Sequence, residues 1–245
     1  MTTGRPTVLV LAPMRTELTP IVRALKLQRA KAPRRADGGN AKWIGSCGGV
    51  DVVAAVAGVG TAHAAQVADA MLARVAPAHV VVVGVAGGLA PGLAVGDVVT
   101  PAVVEDLDGG RDLHAHRLGE REPEGRLLTS NSMHGWDVLE SHAEAGAVAI
   151  DMETAAIAAC CEREGVPWSA IRAMSDLVRE GTVDVSTLDL VREDGSTDLG
   201  AVARLLARHP GRVGDLAAMG RDATKATRAA VDVLRSELLS YRASP

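Results

Sequence analysis

The chain has 245 residues, of which 47% are apolar and 23% charged, and its formal net charge is −4. These values exclude a disordered, collagen-like or disulfide-stapled chain. A chain of this length buries about 70–75% of the surface that its unfolded form exposes, so a single domain over residues 1–245 is expected. Nucleic acid is excluded as the main partner, because the sequence pI is near 6.0 and the chain has three Trp, one Tyr and no Phe.

Cysteine usage and hydropathy indicate a cytoplasmic protein. Cys47, Cys160 and Cys161 have neither metal-ligand spacing nor the even number of a disulfide framework, and the adjacent pair is typical of a helix core. The uncharged stretch 75–96 is long enough to cross a bilayer, but its glycines and prolines indicate a buried strand and a turn instead. His114 and His116 lack a third ligand at useful spacing, so no metal site is expected.

Strands alternate with helices along most of the chain. Short apolar runs predict strands at 7–12, 51–56, 79–83, 95–100, 148–150 and 167–174. Apolar residues at helical spacing predict helices at 16–27, 63–75 and 152–164, and a helical tail from about Leu199 that is broken at His209–Gly211. Residues 28–40 and 106–125 are predicted to be loops. This alternation indicates a parallel or mixed sheet with helices on both faces.

Ligands of open α/β sheets bind beyond the carboxyl ends of the strands, so the residues that follow each predicted strand are candidates for a site. These residues combine carboxylates with glycine-rich turns. The candidates are Met14, Glu17, Gly58, Gly60, Ala86–Gly88, Asp151–Glu153, Ser175 and Asp176. We therefore expect one crevice lined by acids and exposed backbone.

Two glycine motifs have competing interpretations. Gly58-Val-Gly60 lets backbone N–H groups approach an anion or a sugar hydroxyl, but a tight strand-to-helix turn explains it equally well. It lacks the third glycine of a dinucleotide fingerprint and the lysine of a P-loop, which disfavours a dinucleotide-dependent oxidoreductase. The paired glycines in Gly84–Gly88 favour close approach of a ligand to a strand end.

The acids near residues 151 and 176 also have two interpretations. The helix macrodipole accounts for one of Asp151 and Glu153, whereas the second requires a hydroxyl or cationic partner. Asp176 follows an apolar strand, where it is either a helix cap or a general acid that Ser175 and Arg172 orient.

Together, these motifs resemble those of the nucleoside phosphorylase and nucleosidase family, most closely the methylthioadenosine/S-adenosylhomocysteine nucleosidases. The resemblance spans about residues 7–180 and rests on five motifs in family order: Ala12–Glu17, Gly58–Gly60, Gly84–Val99, Asp151–Glu153 and Arg172–Asp176. It implies a three-layer α/β/α fold with a central mixed sheet, and cleavage of a purine N-glycosidic bond without a cofactor.

The resemblance also implies a role for each motif residue. Asp176 donates a proton to the purine N7, Glu17 positions or deprotonates the attacking water, and Glu153 with Met152 grips the ribose hydroxyls. His134 or Met133 falls near the position that stacks the base, which the family commonly fills with Phe. The full set of expected substrate contacts is Met14, Ala86, Gly87, His134, Met152, Glu153, Arg172 and Ser175.

Hydrolysis is favoured over phosphorolysis, because an acid beside the nucleophile suits water better than phosphate. Phosphorolysis stays open, with phosphate as co-substrate held by Arg15, Gly58, Gly60 and Thr61. The long tail is similar to that of hopanoid-associated phosphorylases, which implies a purine nucleoside bearing a lipid. A nucleoside-binding member without turnover is the alternative from another class. The resemblance further implies a homo-oligomer, for which we expect a dimer.

Overall fold

The computed structural model describes residues 4–30, 42–180 and 213–241, and one mixed sheet of eleven strands runs through them. The strands are β1 (Thr7–Ala12), β2 (Gln28–Arg29), β3 (Trp43–Cys47), β4 (Val50–Val56), β5 (His79–Gly88), β6 (Val98–Val99), β7 (Val103–Asp106), β8 (Arg111–His114), β9 (Arg126–Thr129), β10 (Ala147–Asp151) and β11 (Trp168–Leu177). The helices are α1 (Arg15–Ala24), α2 (Thr61–Val75), α3 (Trp136–Glu144), α4 (Thr154–Glu164) and α5 (Val213–Ser240), with a 3-10 turn at Val178–Glu180.

β5 is the centre of the sheet. Its first half pairs in parallel with β1, and β11 pairs in parallel along its whole length. Its last two residues, Gly87 and Gly88, pair with β10 in the antiparallel sense. The strand order β2-β3-β4-β1-β5-β10-β9-β7-β8, with β11 and β6 off this path, brings the ends of β5, β10 and β11 together.

Alternating side chains of the central strands divide the core into two layers. Leu9 and Leu11 of β1 pack with α2 and α4 on one face of the sheet. Val8 and Val10 pack with α1 and α5 on the other face. Successive side chains of a strand point to opposite faces, so a continuous apolar run is what a strand covered on both sides requires. The predicted three-layer α/β/α fold with a mixed sheet is confirmed.

Several predicted boundaries are wrong, and pairing between strands explains the largest errors. The Gly84–Gly88 segment is not a loop but the second half of β5, because β11 pairs beside it as far as Leu177. The predicted loop 106–125 contains β8, which pairs with β7 as a hairpin. Only residues 98–99 of the predicted strand 95–100 form strand pairs. Sequence periodicity does not show such pairing partners.

The segment around Asp151 also differs from the prediction. Asp151 is the last residue of β10, and α4 begins only at Thr154, so the two acids precede the helix rather than start it. Cys160 and Cys161 are buried in the core, as predicted. α5 confirms a helical C-terminal region, whereas the predicted break at residues 209–211 lies outside the described residues, as do residues 31–40 of the predicted loop 28–40. Within the described ranges, no helix is both long and apolar enough to cross a membrane.

Glu237 fastens α5 to the loop after β8. Its buried carboxylate accepts hydrogen bonds from the backbone N–H groups of Gly119 at 3.0 Å and Arg121 at 3.2 Å. We expect Glu237→Ala to lower the free energy of unfolding by about 1–3 kcal/mol, because it leaves these donors without an acceptor. Urea denaturation measures the change. Asp232→Ala, which removes an exposed carboxylate from the same helix, is the control, and equal losses in the two variants would contradict this role.

Candidate functional site

A buried arginine and three carboxylates occupy the centre of the site. Arg172 of β11 is completely buried, with its Nη2 atom 2.5 Å from Asp151 Oδ2 and 3.4 Å from Glu153 Oε2. A Cβ atom at Gly84 would lie 2.5 Å from Arg172 Nη1 and 2.6 Å from Glu17 Oε1. Glycine at position 84 therefore allows the guanidinium and the Glu17 carboxylate to pack directly against β5.

Glu17 is held by two backbone donors from different elements. The N–H of Met14 donates to Oε2 and the N–H of Val85 donates to Oε1, each at 2.8 Å. Burial raises the pKa of Glu17, while Arg172 and the two N–H groups oppose that rise. The carboxylate is thus fixed between the end of β1 and the middle of β5, with its orientation set before any ligand binds.

Asp151 holds Arg172 in place. It accepts hydrogen bonds from Thr129 Oγ1 at 2.6 Å and from Thr154 Oγ1, in addition to its ion pair with Arg172. Nearby carboxylates outweigh the effect of burial and raise the pKa of Arg172. The prediction that one of the two acids requires a hydroxyl or cationic partner is confirmed, since Asp151 has both kinds.

Glu153 stands at the N-cap position of α4, close to the start of α2. Its Oε1 accepts from the Gly60 N–H at 3.3 Å, and its Oε2 accepts from Arg172 Nη2 at 3.4 Å. Burial raises the pKa of Glu153 to about 8, with Asp151 and Glu17 adding to the rise and Arg172 opposing it. Such a rise is expected where three acids share one guanidinium in a buried site.

Asp176 lies at an irregularity of β11. The register against β5 shifts between Met174 and Asp176, which sets Asp176 opposite Gly87. Ser175 Oγ donates to Asp176 Oδ1 at 2.6 Å. Burial raises the pKa of Asp176, against the opposing effect of the Ser175 hydroxyl. Bulges of this kind redirect side chains, and here one directs an acid with a raised pKa toward the glycine end of β5.

Ser175 contacts Asp176 as expected, but Arg172 does not. The guanidinium N–H groups of Arg172 contact the side chains of Asp151, Glu153 and Thr154 and the carbonyl oxygen of Val85. The prediction that Arg172 orients Asp176 is therefore wrong. The buried acids and the hydroxyl attract the guanidinium because a cation without such partners is costly to bury.

The other predicted substrate contacts lie around this centre. The Ala86 carbonyl oxygen accepts a hydrogen bond from Ser175 Oγ at 3.5 Å. A Cβ atom at Gly87 would lie 3.4 Å from Asp176 Oδ2. Met14 and Met152 are half-buried. His134, on the loop between β9 and α3, has its Nε2 atom 2.8 Å from Ser130 Oγ.

The residues expected to hold phosphate have other partners or face solvent. The N–H of Gly58 donates to the Pro13 carbonyl at 3.1 Å. The N–H groups of Gly60 and Thr61 donate to side chains, which are those of Glu153 and Asn131. Arg15 is exposed at the first turn of α1. Among the described residues, no group of three or more His, Cys, Asp or Glu side chains is arranged to hold a metal ion.

Three side chains of the site were not predicted from the sequence, namely Thr129, Asn131 and Thr154, and neither was the pairing of Asp151 with Arg172. Thr129 ends β9 and Asn131 follows it, and β9 was not predicted. The run Leu127-Leu128 before Thr129-Ser-Asn131 was the available signal, because a short apolar stretch followed by polar residues is typical of a strand end.

Comparison with known proteins agrees with this architecture. The model of the phosphorylase superfamily matches residues 7–126 and 114–208. A 5'-methylthioadenosine/S-adenosylhomocysteine nucleosidase of Anoxybacillus flavithermus is 29% identical over 166 residues, which cover 55% of this chain and 72% of the relative. The corresponding nucleosidase of Tolumonas auensis is 29% identical over 178 residues, which cover 60% of this chain and 76% of the relative.

Solved structures share the fold at low sequence identity. An S-adenosylhomocysteine nucleosidase from Streptococcus pyogenes, in complex with 5-methylthiotubericidin, superposes with a TM-score of 0.71 at 18% identity and 98% coverage of both chains. A futalosine hydrolase of Helicobacter pylori superposes with a TM-score of 0.69 at 19% identity, covering 95% of this chain and 97% of the other. The family match extends over most of the chain, and so the chain belongs to the phosphorylase superfamily.

Proposed function

We propose that the protein hydrolyses the N-glycosidic bond of a purine nucleoside, an adenosine derivative substituted at the 5′ carbon, and releases the free base. The names of its curated relatives support a substrate of the methylthioadenosine or S-adenosylhomocysteine type. The observation that carries hydrolysis is the fixed Glu17 carboxyl, which two backbone N–H groups hold inside the site.

Charge favours water over phosphate as the nucleophile. Among the described residues, Glu17, Asp151 and Glu153 surround the buried guanidinium of Arg172, so a phosphate dianion would enter a region whose cation is already neutralised. Phosphate binding requires free cations and free backbone donors, whereas a neutral water needs only an acceptor for its proton. Glu17 supplies this acceptor when it is ionised.

Asp176 assists the departure of the base. Cleavage places negative charge on the purine and positive charge on the sugar, so protonating the base at N7 lowers the barrier. The raised pKa of Asp176 suits a proton donor, and the Ser175 hydroxyl keeps the carboxyl in one orientation.

Glu153 holds the sugar. Its carboxyl lies between Gly60 and Arg172, and Met152 precedes it at the edge of the site. In its ionised form, Glu153 accepts hydrogen bonds from the ribose hydroxyls and stabilises the sugar cation that develops as the bond breaks.

The remaining features follow from the same proposal. Hydrolysis of this kind needs no cofactor, since acids and water supply the proton and the nucleophile. We propose that the protein acts in the cytoplasm as a homodimer, which the free cysteines and the family resemblance support.

A panel of nucleosides tests the function. Purified protein is incubated with adenosine, inosine, methylthioadenosine, S-adenosylhomocysteine and futalosine, each with and without phosphate, and the free base and sugar product are quantified. We expect release of adenine from a 5′-substituted adenosine, with free sugar as the product and no dependence on phosphate. Formation of a sugar phosphate would overturn hydrolysis, and absence of release from every substrate would overturn the catalytic proposal.

We expect Glu17→Gln to lower kcat for base release by about 10²–10⁴-fold, because an amide does not accept the proton of the water. The Kd of a non-hydrolysable nucleoside analogue should change little, since the amide oxygen still accepts one of the two backbone hydrogen bonds. Single-turnover kinetics and calorimetry measure the two effects. Restoration of the rate by phosphate, or an unchanged rate, would contradict the role of Glu17 in activating water.

A further inference from the structure

Asn131 links three separate elements at the edge of the site. Its backbone N–H donates to Asp108 Oδ2 in the β7–β8 turn at 2.7 Å. Its side-chain Oδ1 accepts from the Thr61 N–H, the first residue of α2, at 3.1 Å. A Cβ atom at Gly60 would lie only 2.9 Å from this Oδ1 atom, so the amide packs closely against the glycine turn.

The position of this turn determines one contact of Glu153. The N–H of Gly60 donates to Glu153 Oε1, and the neighbouring N–H of Thr61 is the one that Asn131 holds. Gly60 has a φ of 87°, a conformation open to glycine but unfavourable for other residues. A turn built on glycine has many accessible conformations, so an external acceptor is needed to keep the two adjacent N–H groups in one orientation.

We propose that Asn131 is a positioning residue for sugar recognition. Its amide oxygen fixes the Thr61 N–H, and through it the Gly60 N–H that orients the Glu153 carboxyl toward the sugar. This inference rests on the proposed role of Glu153 in holding the ribose hydroxyls. It adds a residue from the loop after β9, which contacts Glu153 only through the backbone of the glycine turn.

The discrimination between ribose and 2′-deoxyribose substrates tests the proposal. We expect Asn131→Ala to lower kcat/KM for the ribonucleoside by about fivefold to tenfold, the effect of one lost hydrogen bond. The 2′-deoxy analogue lacks a hydroxyl that Glu153 would hold, so its kcat/KM should fall less and the ribo/deoxy ratio should decrease. A general loosening of the loop would lower both values equally.

Two further variants separate the hydrogen bond from other effects of the substitution. Asn131→Asp keeps an acceptor for the Thr61 N–H and should therefore keep the ribo/deoxy ratio at its wild-type value. Thr61→Pro removes the donor instead, at the first position of a helix, where proline is well tolerated, and should reproduce the effect of Asn131→Ala. Ser132→Ala alters an exposed neighbour on the same loop and should leave the ratio unchanged.

The wild-type activity is measured first, so that failure of the proposed function is distinguished from failure of this inference. Absence of base release by the wild-type protein from both sugars would overturn the proposed function. With an active wild type, an unchanged ratio in both Asn131→Ala and Thr61→Pro would overturn the role of Asn131. A reduced ratio in these variants, restored in Asn131→Asp, would support it.

Discussion

Replacement of Asp176 by Asn is expected to reduce base release by about 10²–10⁴-fold while nucleoside binding persists. An amide is not acidic enough to transfer a proton to N7, but it has nearly the shape of the carboxylic acid. It can still accept a hydrogen bond from Ser175 Oγ, which lies 2.6 Å from Asp176 Oδ1 in the wild-type structure. Single-turnover release of the base measures the loss, and calorimetric titration with a non-hydrolysable analogue measures binding.

Two controls define the role of Asp176. Asp232→Asn makes the same chemical change on the exposed face of α5 and should leave turnover intact. Ser175→Ala removes the hydroxyl that opposes the raised pKa of Asp176, so the pKa should rise further and the alkaline limit of activity should move to higher pH. Full activity of Asp176→Asn would exclude Asp176 as the proton donor.

Arg172→Met is expected to lower the free energy of unfolding by about 3–5 kcal/mol, the effect of removing one partner from a buried ionic group. Methionine occupies much of the volume of the aliphatic part of the Arg172 side chain, but Asp151, Glu153 and Glu17 then face one another without a cation. Arg172 opposes the raised pKa values of both glutamates, so its loss raises these pKa values further. Urea denaturation at several pH values measures the effect.

The pH dependence of this deficit identifies its cause. An acid whose pKa is raised in the folded state costs stability as the pH rises above its unfolded value, 4.5 for glutamate. Wild type and variant lose stability alike until the wild-type glutamates ionise, so the deficit of Arg172→Met should grow as the pH rises through their folded-state pKa values, about 8 for Glu153, and shrink below them. Arg163→Met disrupts an exposed pair with Asp69 and should change the free energy of unfolding far less than Arg172→Met at each of these pH values. A deficit that does not depend on pH would indicate lost packing instead of unpaired charge.

The elements that were predicted correctly are those whose apolar pattern lies within one continuous segment of the chain. The continuous apolar run of β1 and the helical spacing in α2 lie within single segments, and both elements are present. Elements that form only because another strand pairs with them were missed. β8 is exposed and polar at three of its four positions, and it forms a strand because β7 pairs with it.

The same division applies to the candidate site. Glu17, Glu153 and Asp176 follow predicted strands, and the chemistry of acids near glycine turns singled them out. Their partners did not follow from spacing. Thr129 and Asp151 are 22 residues apart in the chain, yet they share a hydrogen bond because β9 and β10 pair in parallel with their ends together.

The sequence by itself determined the succession of strands and helices, the acids at the strand ends and the resemblance to a family, because each depends on residues close in the chain. Only the tertiary structure decided which side chains meet. It placed Arg172 with Asp151 and Glu153 instead of Asp176, and it joined Asn131 to the start of α2. Burial then raised the pKa values of the acids, since desolvation depends on the packing of all the surrounding elements.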